Sequence, residues 1–311
     1  MELAYGALPR AGATRFAVWA PHARQLSVLV RTGAAAGDYP LARDDRGVFC
    51  ATIPGVRAGD DYAYRIDGGA ERPDPVSRWQ PHGVHGASRV VDPHAFVWTD
   101  DAWKGLEMAD FVIYELHVGT FTPEGTFDAI IPRLAGLREL GITAIELMPV
   151  AQFPGTRNWG YDGVQLFAPQ NSYGGPDALK RLVNAAHTQG LAVVLDVVYN
   201  HVGPEGNYLA EYAPYFTTTY RTPWGPAMNY DSAHSDDVRS FVIENACYWV
   251  REFHIDALRL DAIHGIFDFQ AVHITQALTE RVHDTGRALG RLVQVIAESD
   301  LNDPRLLRPV P

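Results

Sequence analysis

Cysteine is nearly absent from the chain: 311 residues contain two, Cys50 and Cys247. They fall in segments of different character, and no Cys/His cluster has metal-ligand spacing. A disulfide framework and a structural zinc site are therefore not expected, and both thiols read as reduced and inert. Positive charge is also scarce, with 26 Lys and Arg against 37 Asp and Glu, a formal net charge of -11 and a pI near 5.5. Such a surface repels phosphate backbones, which argues against a nucleic-acid partner and leaves a neutral ligand unaffected. The first residues, Met1 to Pro9, have neither a basic n-region nor an apolar h-region, so no secretory signal and a cytoplasmic location are expected. A content of 47% hydrophobic and 20% charged residues suits globular domains and not a disordered or membrane-spanning chain.

The length suffices for two domains, each with its own core. From Thr14 to about Val91 short alternating runs are broken by Gly, Pro and Asp, among them Phe16-Ala17-Val18-Trp19-Ala20 and Tyr62-Ala63-Tyr64-Arg65-Ile66. This pattern predicts a small β-sandwich over residues 1–91, with Trp19, Tyr62 and Tyr64 in its core. Residues 67 to 110 are rich in Pro, His, Asp and Gly and suit a surface connection, of which 92–110 is the linker proper. From Phe111 apolar strands alternate with amphipathic helices. Strands are expected within Phe111 to Val118, Ile142 to Val150, Leu191 to Tyr199, Ile255 to Ile263 and Leu292 to Ala297. Helices are expected over Phe127 to Leu140, Asp177 to Gln189, Asp236 to Phe253 and roughly Phe269 to Leu289. The fold class is α/β, with residues 111–311 forming about five of the eight units of a (β/α)8 TIM barrel. Five strands leave two open edges. The chain stops thirteen residues after Glu298, so a C-terminally truncated barrel is expected, and a complementing chain is one way to fill the missing units.

Two carboxylates stand where strand patterns give way to loops. Leu258-Arg259-Leu260-Asp261 closes one apolar run and Val293-Gln294-Val295-Ile296-Ala297-Glu298 the next. Both acids then share one rim of a parallel sheet, an arrangement suited to glycoside cleavage. A retaining route needs one ionised carboxylate and one protonated carboxyl about 5 to 5.5 Å apart. Asp261 is the better nucleophile, because Arg259, two residues earlier on the same face, would hold it ionised. Glu298 is the better acid, its proton affinity raised by the other carboxylate and by partial burial.

Asp196-Val197-Val198-Tyr199-Asn200-His201 ends the third strand, placing Asp196 and His201 where they can bond sugar hydroxyls or fix Arg259. Asn200 is a further contact, and His264 is balanced between a sugar contact and a structural role. The loop Asn158-Trp159-Gly160-Tyr161-Asp162-Gly163 supplies the aromatic faces of Trp159 and Tyr161. A long loop from about Val202 to Ser235, with Tyr208, Tyr212, Tyr215, Phe216, Tyr220, Trp224 and Tyr230, reads as a binding surface. No further acidic cluster is visible to complete a calcium site with Asp196 and Asn200, so no metal or other cofactor is expected.

The segments Asp196-Val197-Val198-Tyr199-Asn200-His201, Leu258-Arg259-Leu260-Asp261-Ala262-Ile263-His264 and Ile296-Ala297-Glu298-Ser299 resemble three of the four signature regions of the alpha-amylase superfamily. Within it the chain most resembles the maltooligosyltrehalose trehalohydrolases. The supporting segments are Tyr114 to Phe127, Asn158 to Val164, Pro169 to Pro176 and Glu298-Ser299-Asp300-Leu301-Asn302-Asp303. The resemblance implies Asp261 as nucleophile, Glu298 as acid/base, Arg259 and His201 as subsite partners and Tyr161 as a sugar platform. It implies a carbohydrate-module-like sandwich and hydrolysis of the α-1,4 bond next to the trehalose unit of a maltooligosyl trehalose, or of a related α-glucan. The superfamily's third carboxylate, an Asp following a His at a later strand end, has no match after Glu298. Two alternatives stay open: a glycogen branching enzyme, which transfers the chain to a sugar hydroxyl, and a non-catalytic glycan-binding fragment.

Overall fold

Alternation at a period of two buries one face of a strand, and the N-terminal stretch follows it. In the computed structural model, which describes residues 5–304, nine strands form two antiparallel sheets. They are β1 (Gly6–Arg10), β2 (Ala13–Trp19), β3 (Leu26–Val30), β4 (Gly37–Pro40), β5 (Ala42–Arg43), β6 (Val48–Pro54), β7 (Asp61–Ile66), β8 (Glu71–Arg72) and β9 (Ser88–Arg89). One sheet runs β1-β2-β6-β5 and the other β4-β3-β7-β8, with β9 also on β7. Phe16 and Tyr62 meet edge to face across the two sheets at 5.0 Å. Trp19, Tyr62 and Tyr64 are core residues, each at most 2% exposed. Residues 67 to 91 are more than a connection, since β8 and β9 pair with β7 and draw them into the sandwich.

The second part contributes β10 (Ile113–Leu116), β11 (Ala144–Leu147), a hairpin of β12 (Ala151–Gln152) and β13 (Gln165–Pro169), β14 (Ala192–Val197), a hairpin of β15 (Phe216–Thr222) and β16 (Gly225–Met228), β17 (Ala257–Leu260) and β18 (Gln294–Ala297). Its helices are α1 (Val118–Phe121), α2 (Phe127–Ile130), α3 (Leu134–Glu139), α4 (Gly175–Thr188), α5 (Leu209–Tyr212), α6 (Ser235–Phe253) and α7 (Ile274–Leu289). Strands β10-β11-β14-β17-β18 make one parallel sheet in sequence order. Every residue of β14, its central strand, is buried, as a strand covered on both faces requires. The helix expected from Phe127 to Leu140 is divided, because Pro132 cannot donate an amide bond and turns Ile131–Arg133 into a 3-10 segment. The two hairpins were not read from the sequence.

At the edges, β10 and β18 each pair on one side among the described residues. Ile113 and Tyr114 of β10 are 38% and 36% exposed, and Val112 just before it 53%. Among the described residues no helix is long and apolar enough to cross a membrane, and both cysteines are free.

The connection is pinned at the N-terminal ends of the strands by a buried charge network. His187 of α4 lies between two carboxylates, Nδ1 2.7 Å from Asp100 Oδ2 and Nε2 2.9 Å from Asp256 Oδ2. His254 Nδ1 reaches Asp100 at 2.8 Å, and Trp103 Nε1 donates to Asp256 Oδ1 at 2.7 Å. Burial works against a charged His187, but the two carboxylates raise its proton affinity above the ordinary value.

Candidate active site

Asp261 directly follows β17 and Glu298 directly follows β18. The Asp261 amide donates to Val197 O at 3.0 Å and the Glu298 amide to Leu260 O at 3.1 Å. Both residues thus extend the sheet ladder by one step at its C-terminal rim, on adjacent strands. Arg259 shares a face with Asp261 because strand side chains alternate. Its Nη1 donates to Asp196 Oδ2 at 2.6 Å and to Asp261 Oδ1 at 3.0 Å, and its Nη2 lies 3.6 Å from Glu298 Oε2. One guanidinium therefore binds three carboxylates.

The second Asp261 oxygen, Oδ2, accepts from Asn200 Nδ2 at 3.0 Å, and the same nitrogen donates to the Asp261 carbonyl at 2.8 Å. Asn200 Oδ1 in turn bonds His201 Nδ1. Glu298 Oε2 accepts the amide of Ala262 at 2.6 Å. Ala262 reaches this position in the left-handed region, at φ 42°, where a Cβ costs about 1 to 2 kcal/mol. The turn after Asp261 is thus strained to aim an N–H at the neighbouring carboxylate.

Asp196 is 1% exposed. Burial pushes its carboxyl up to about 7, against the pull of Arg259 and of the Tyr161 hydroxyl, which donates to Asp196 Oδ2 at 3.0 Å. Burial, followed by Asp196, also raises the Tyr161 phenol, whereas burial lowers His201. Arg259 is raised by its ion pairs, first with Asp196, although burial opposes this.

Asp261, Glu298, Arg259, Asp196, Asn200, His201 and Tyr161 are brought together as a bonded cluster. Trp159 stands apart from it, 74% exposed on the loop that carries Tyr161. His264 sits near the Trp224 ring at 6.2 Å, and Trp224 stacks by His201 at 5.5 Å. Asp196 and Asn200 are buried, at 1% and 0% exposure. Of its two expected roles Asp196 takes that of fixing Arg259, and Asn200 holds Asp261. The 202–235 loop is divided: Tyr212, Tyr215 and Tyr230 are at most 2% exposed and turn into the core, whereas Tyr208, Phe216 and Tyr220 are half-buried and Trp224 is 45% exposed, with Tyr220 stacked on Phe267. Glu298 is partly shielded, with 38% of its side chain exposed, since β18 pairs on one side among the described residues.

Two groups were missed. His117, just after β10, bonds the Asn158 carbonyl through Nε2 at 2.7 Å and lies 3.1 Å from the Tyr173 hydroxyl, tying down the loop that carries Tyr161. It stands within Tyr114 to Phe127, one of the segments that carry the family resemblance. The carboxylates of Glu115, Glu146 and Asp196 lie within 4.8 Å of one another, an acidic cluster that the linear sequence hid. Register explains it: Glu115 pairs with Glu146, Glu146 with Val194, and Asp196 is two residues on along the same face. Burial and then Glu115 raise the Glu146 carboxyl.

The chain matches two families: the carbohydrate-binding module 48 (isoamylase N-terminal domain) over residues 4–95 and the alpha amylase catalytic domain over residues 90–224. It is 52% identical to a malto-oligosyltrehalose trehalohydrolase from Saccharolobus solfataricus over 94% of this chain and 51% of that protein. A 1,4-alpha-glucan branching enzyme from Pseudoalteromonas atlantica is 34% identical over 85% of this chain and 40% of its own length. A crystal structure of a Salmonella typhimurium protein provisionally named an alpha amylase superposes with a TM-score of 0.93 at 42% identity, covering 100% of this chain and 52% of that one. The chain spans about half the length of the curated relatives it matches. With a module 48 sandwich followed by a parallel sheet that ends in paired carboxylates, the chain belongs to the alpha-amylase family.

Proposed function

We propose that this chain carries the nucleophile and the acid of a retaining glycoside hydrolase that releases trehalose from maltooligosyl trehalose. The observation that carries the reading is the pair Asp261 and Glu298 at adjacent strand ends, both on the guanidinium of Arg259. The alpha amylase match stops at residue 224, so the roles of these two residues rest on geometry. In the first step an Asp261 oxygen attacks C1 of the glucosyl unit next to trehalose. Glu298 passes its proton to the departing glycosidic oxygen, and trehalose leaves. In the second step Glu298 takes a proton from water, whose oxygen attacks C1 and displaces Asp261. Asn200 and Arg259 orient Asp261, Asp196 fixes Arg259, and Tyr161, His201, His264 and Trp159 face the sugar. The eight-stranded barrel, with its remaining strands supplied from beyond this chain, and a cytoplasmic setting belong to the same reading. The setting is supported by two free cysteines.

The test is trehalose release from maltotriosyl trehalose, with maltopentaose as a control for plain amylase action, by the 311-residue chain and by any longer reading frame that contains it. Release that disappears in Glu298→Gln is the expected result. Transfer of the maltotriosyl chain to a glucan hydroxyl would mark a branching enzyme, and full turnover in Glu298→Gln would sink the acid/base assignment.

A further inference from the structure

A groove of about 480 Å³ runs between the end of the module and the loops of the parallel sheet, lined by Trp79, His82, His85, Thr156, Asn171 and Glu205 among others. We propose that it binds remote glucosyl units of an α-glucan chain whose other end lies in the active site; this rests on the glucan-cleaving reading above. Its volume falls within the range of about 300 to 1,000 Å³ usual for small-ligand sites.

The lining chemistry suits a neutral polyhydroxyl ligand. Imidazole, hydroxyl and carboxylate groups offer both donors and acceptors at short spacing, and the indole of Trp79 adds apolar surface under Arg89, whose guanidinium lies 5.0 Å from the ring centroid. An anion is disfavoured by the Glu205 carboxylate. Each imidazole is oriented through one ring nitrogen, His82 Nε2 lying 3.1 Å from Asp61 Oδ2 and His85 Nδ1 2.6 Å from the Tyr208 hydroxyl. Both imidazole side chains still keep more than half of their surface exposed, at 56% and 58%.

Placement ties the groove to the reaction. Thr156 lies in the β12–β13 loop, three residues before Trp159, so at most about 11 Å of chain separates them. Glu205 lies on the loop after β14 that also carries Asn200 and His201. These loops follow β11 and β14, interior strands of the sheet, so the groove walls do not depend on what pairs with β10 or β18. Binding energy collected here from the distal part of a chain can be used at the reacting bond.

The experiment is hydrogen exchange of the protein carrying Glu298→Gln, which blocks turnover, with and without maltotriosyl trehalose. Slower exchange is expected in segments 79–86 and 171–175 as well as in the catalytic segments 158–163 and 196–201. Adding Thr156→Trp, which fills the groove, is expected to raise the maltotriosyl trehalose concentration needed for groove protection at least ten-fold and to spare the catalytic segments. Glu205→Ala is the second variant, expected to weaken groove protection without a bulky insertion. Protection confined to the catalytic segments overturns the groove and leaves the proposed function standing. Protection of neither region overturns both, and groove protection unchanged in both variants overturns the site as located.

Discussion

Replacing His187 with Ala tests whether the connection between the two parts is held by charge. The imidazole has no exposed surface and sits between Asp100 and Asp256, whose side chains are 2% and 1% exposed. Removing it leaves two buried carboxylates facing each other across a void. Breaking a buried ion pair typically costs about 3 to 5 kcal/mol. His254 at 2.8 Å from Asp100 and Arg291 at 3.4 Å from Asp256 remain, so the lower end, about 3 kcal/mol, is expected. The pH dependence has a defined sign. His187 is raised above its ordinary 6.5, so its stabilisation is full below that value and is lost as pH rises through the folded value. Asp100 is lowered from 3.8, so its contribution is present above that value and is lost as pH falls through the folded one. The difference between wild type and His187→Ala in urea unfolding, followed by tryptophan fluorescence, should therefore be largest between pH 4 and 6.5 and should shrink at higher pH. A difference under about 1 kcal/mol at pH 6, or one that grows toward pH 9, would refute the reasoning.

In the sandwich, Asp74 is fully buried, accepts the Tyr62 hydroxyl at 2.7 Å and is raised by burial to about 6. Its protonated form is favoured on folding, so stability is lost as pH rises from 3.8 toward 6, by about 3 kcal/mol at most. Asp74→Asn should flatten that part of the melting profile, and an unchanged slope would count against it. Ala262→Gly relieves the left-handed strain beside Asp261 and should stabilise the chain by up to about 1 kcal/mol, whereas Ala262→Val should destabilise it. Equal urea midpoints for all three would remove the strain argument. Ile113, 38% exposed on the β10 edge, offers a template for pairing. Ile113→Lys should lower self-association in light scattering, and no change would show that this edge is not sticky.

Much of the architecture was legible in the sequence, and for identifiable reasons. Period-two alternation predicted the sandwich and its core residues Trp19, Tyr62 and Tyr64, because a half-buried strand repeats its environment every two residues. Continuous apolar runs bounded by helical patterns predicted the parallel sheet, and each of its five strands lies inside an expected span. Asp261 and Glu298 could be placed at strand ends because such a run stops where the backbone leaves the sheet.

The β12–β13 and β15–β16 hairpins were not legible, since both are short and interrupted and Pro169 lies at the end of one. The aromatic loop was legible only in part, because composition does not say which way a tyrosine points. Tyr212 and Tyr230 turned inward, where their hydroxyls donate to the carbonyls of Pro73 and Tyr199.

The sequence by itself determined the elements, their order and the strand ends on which the two carboxylates stand, since these depend on patterns a few residues long. Only the tertiary structure decided that Asp196 and Asn200 are buried supports, that Glu115 and Glu146 join Asp196, and that His187 bridges Asp100 and Asp256. Those partners are 87 and 69 residues away from His187. Strand register and the packing of the connection under the sheet bring such groups together, and neither leaves a mark on local periodicity.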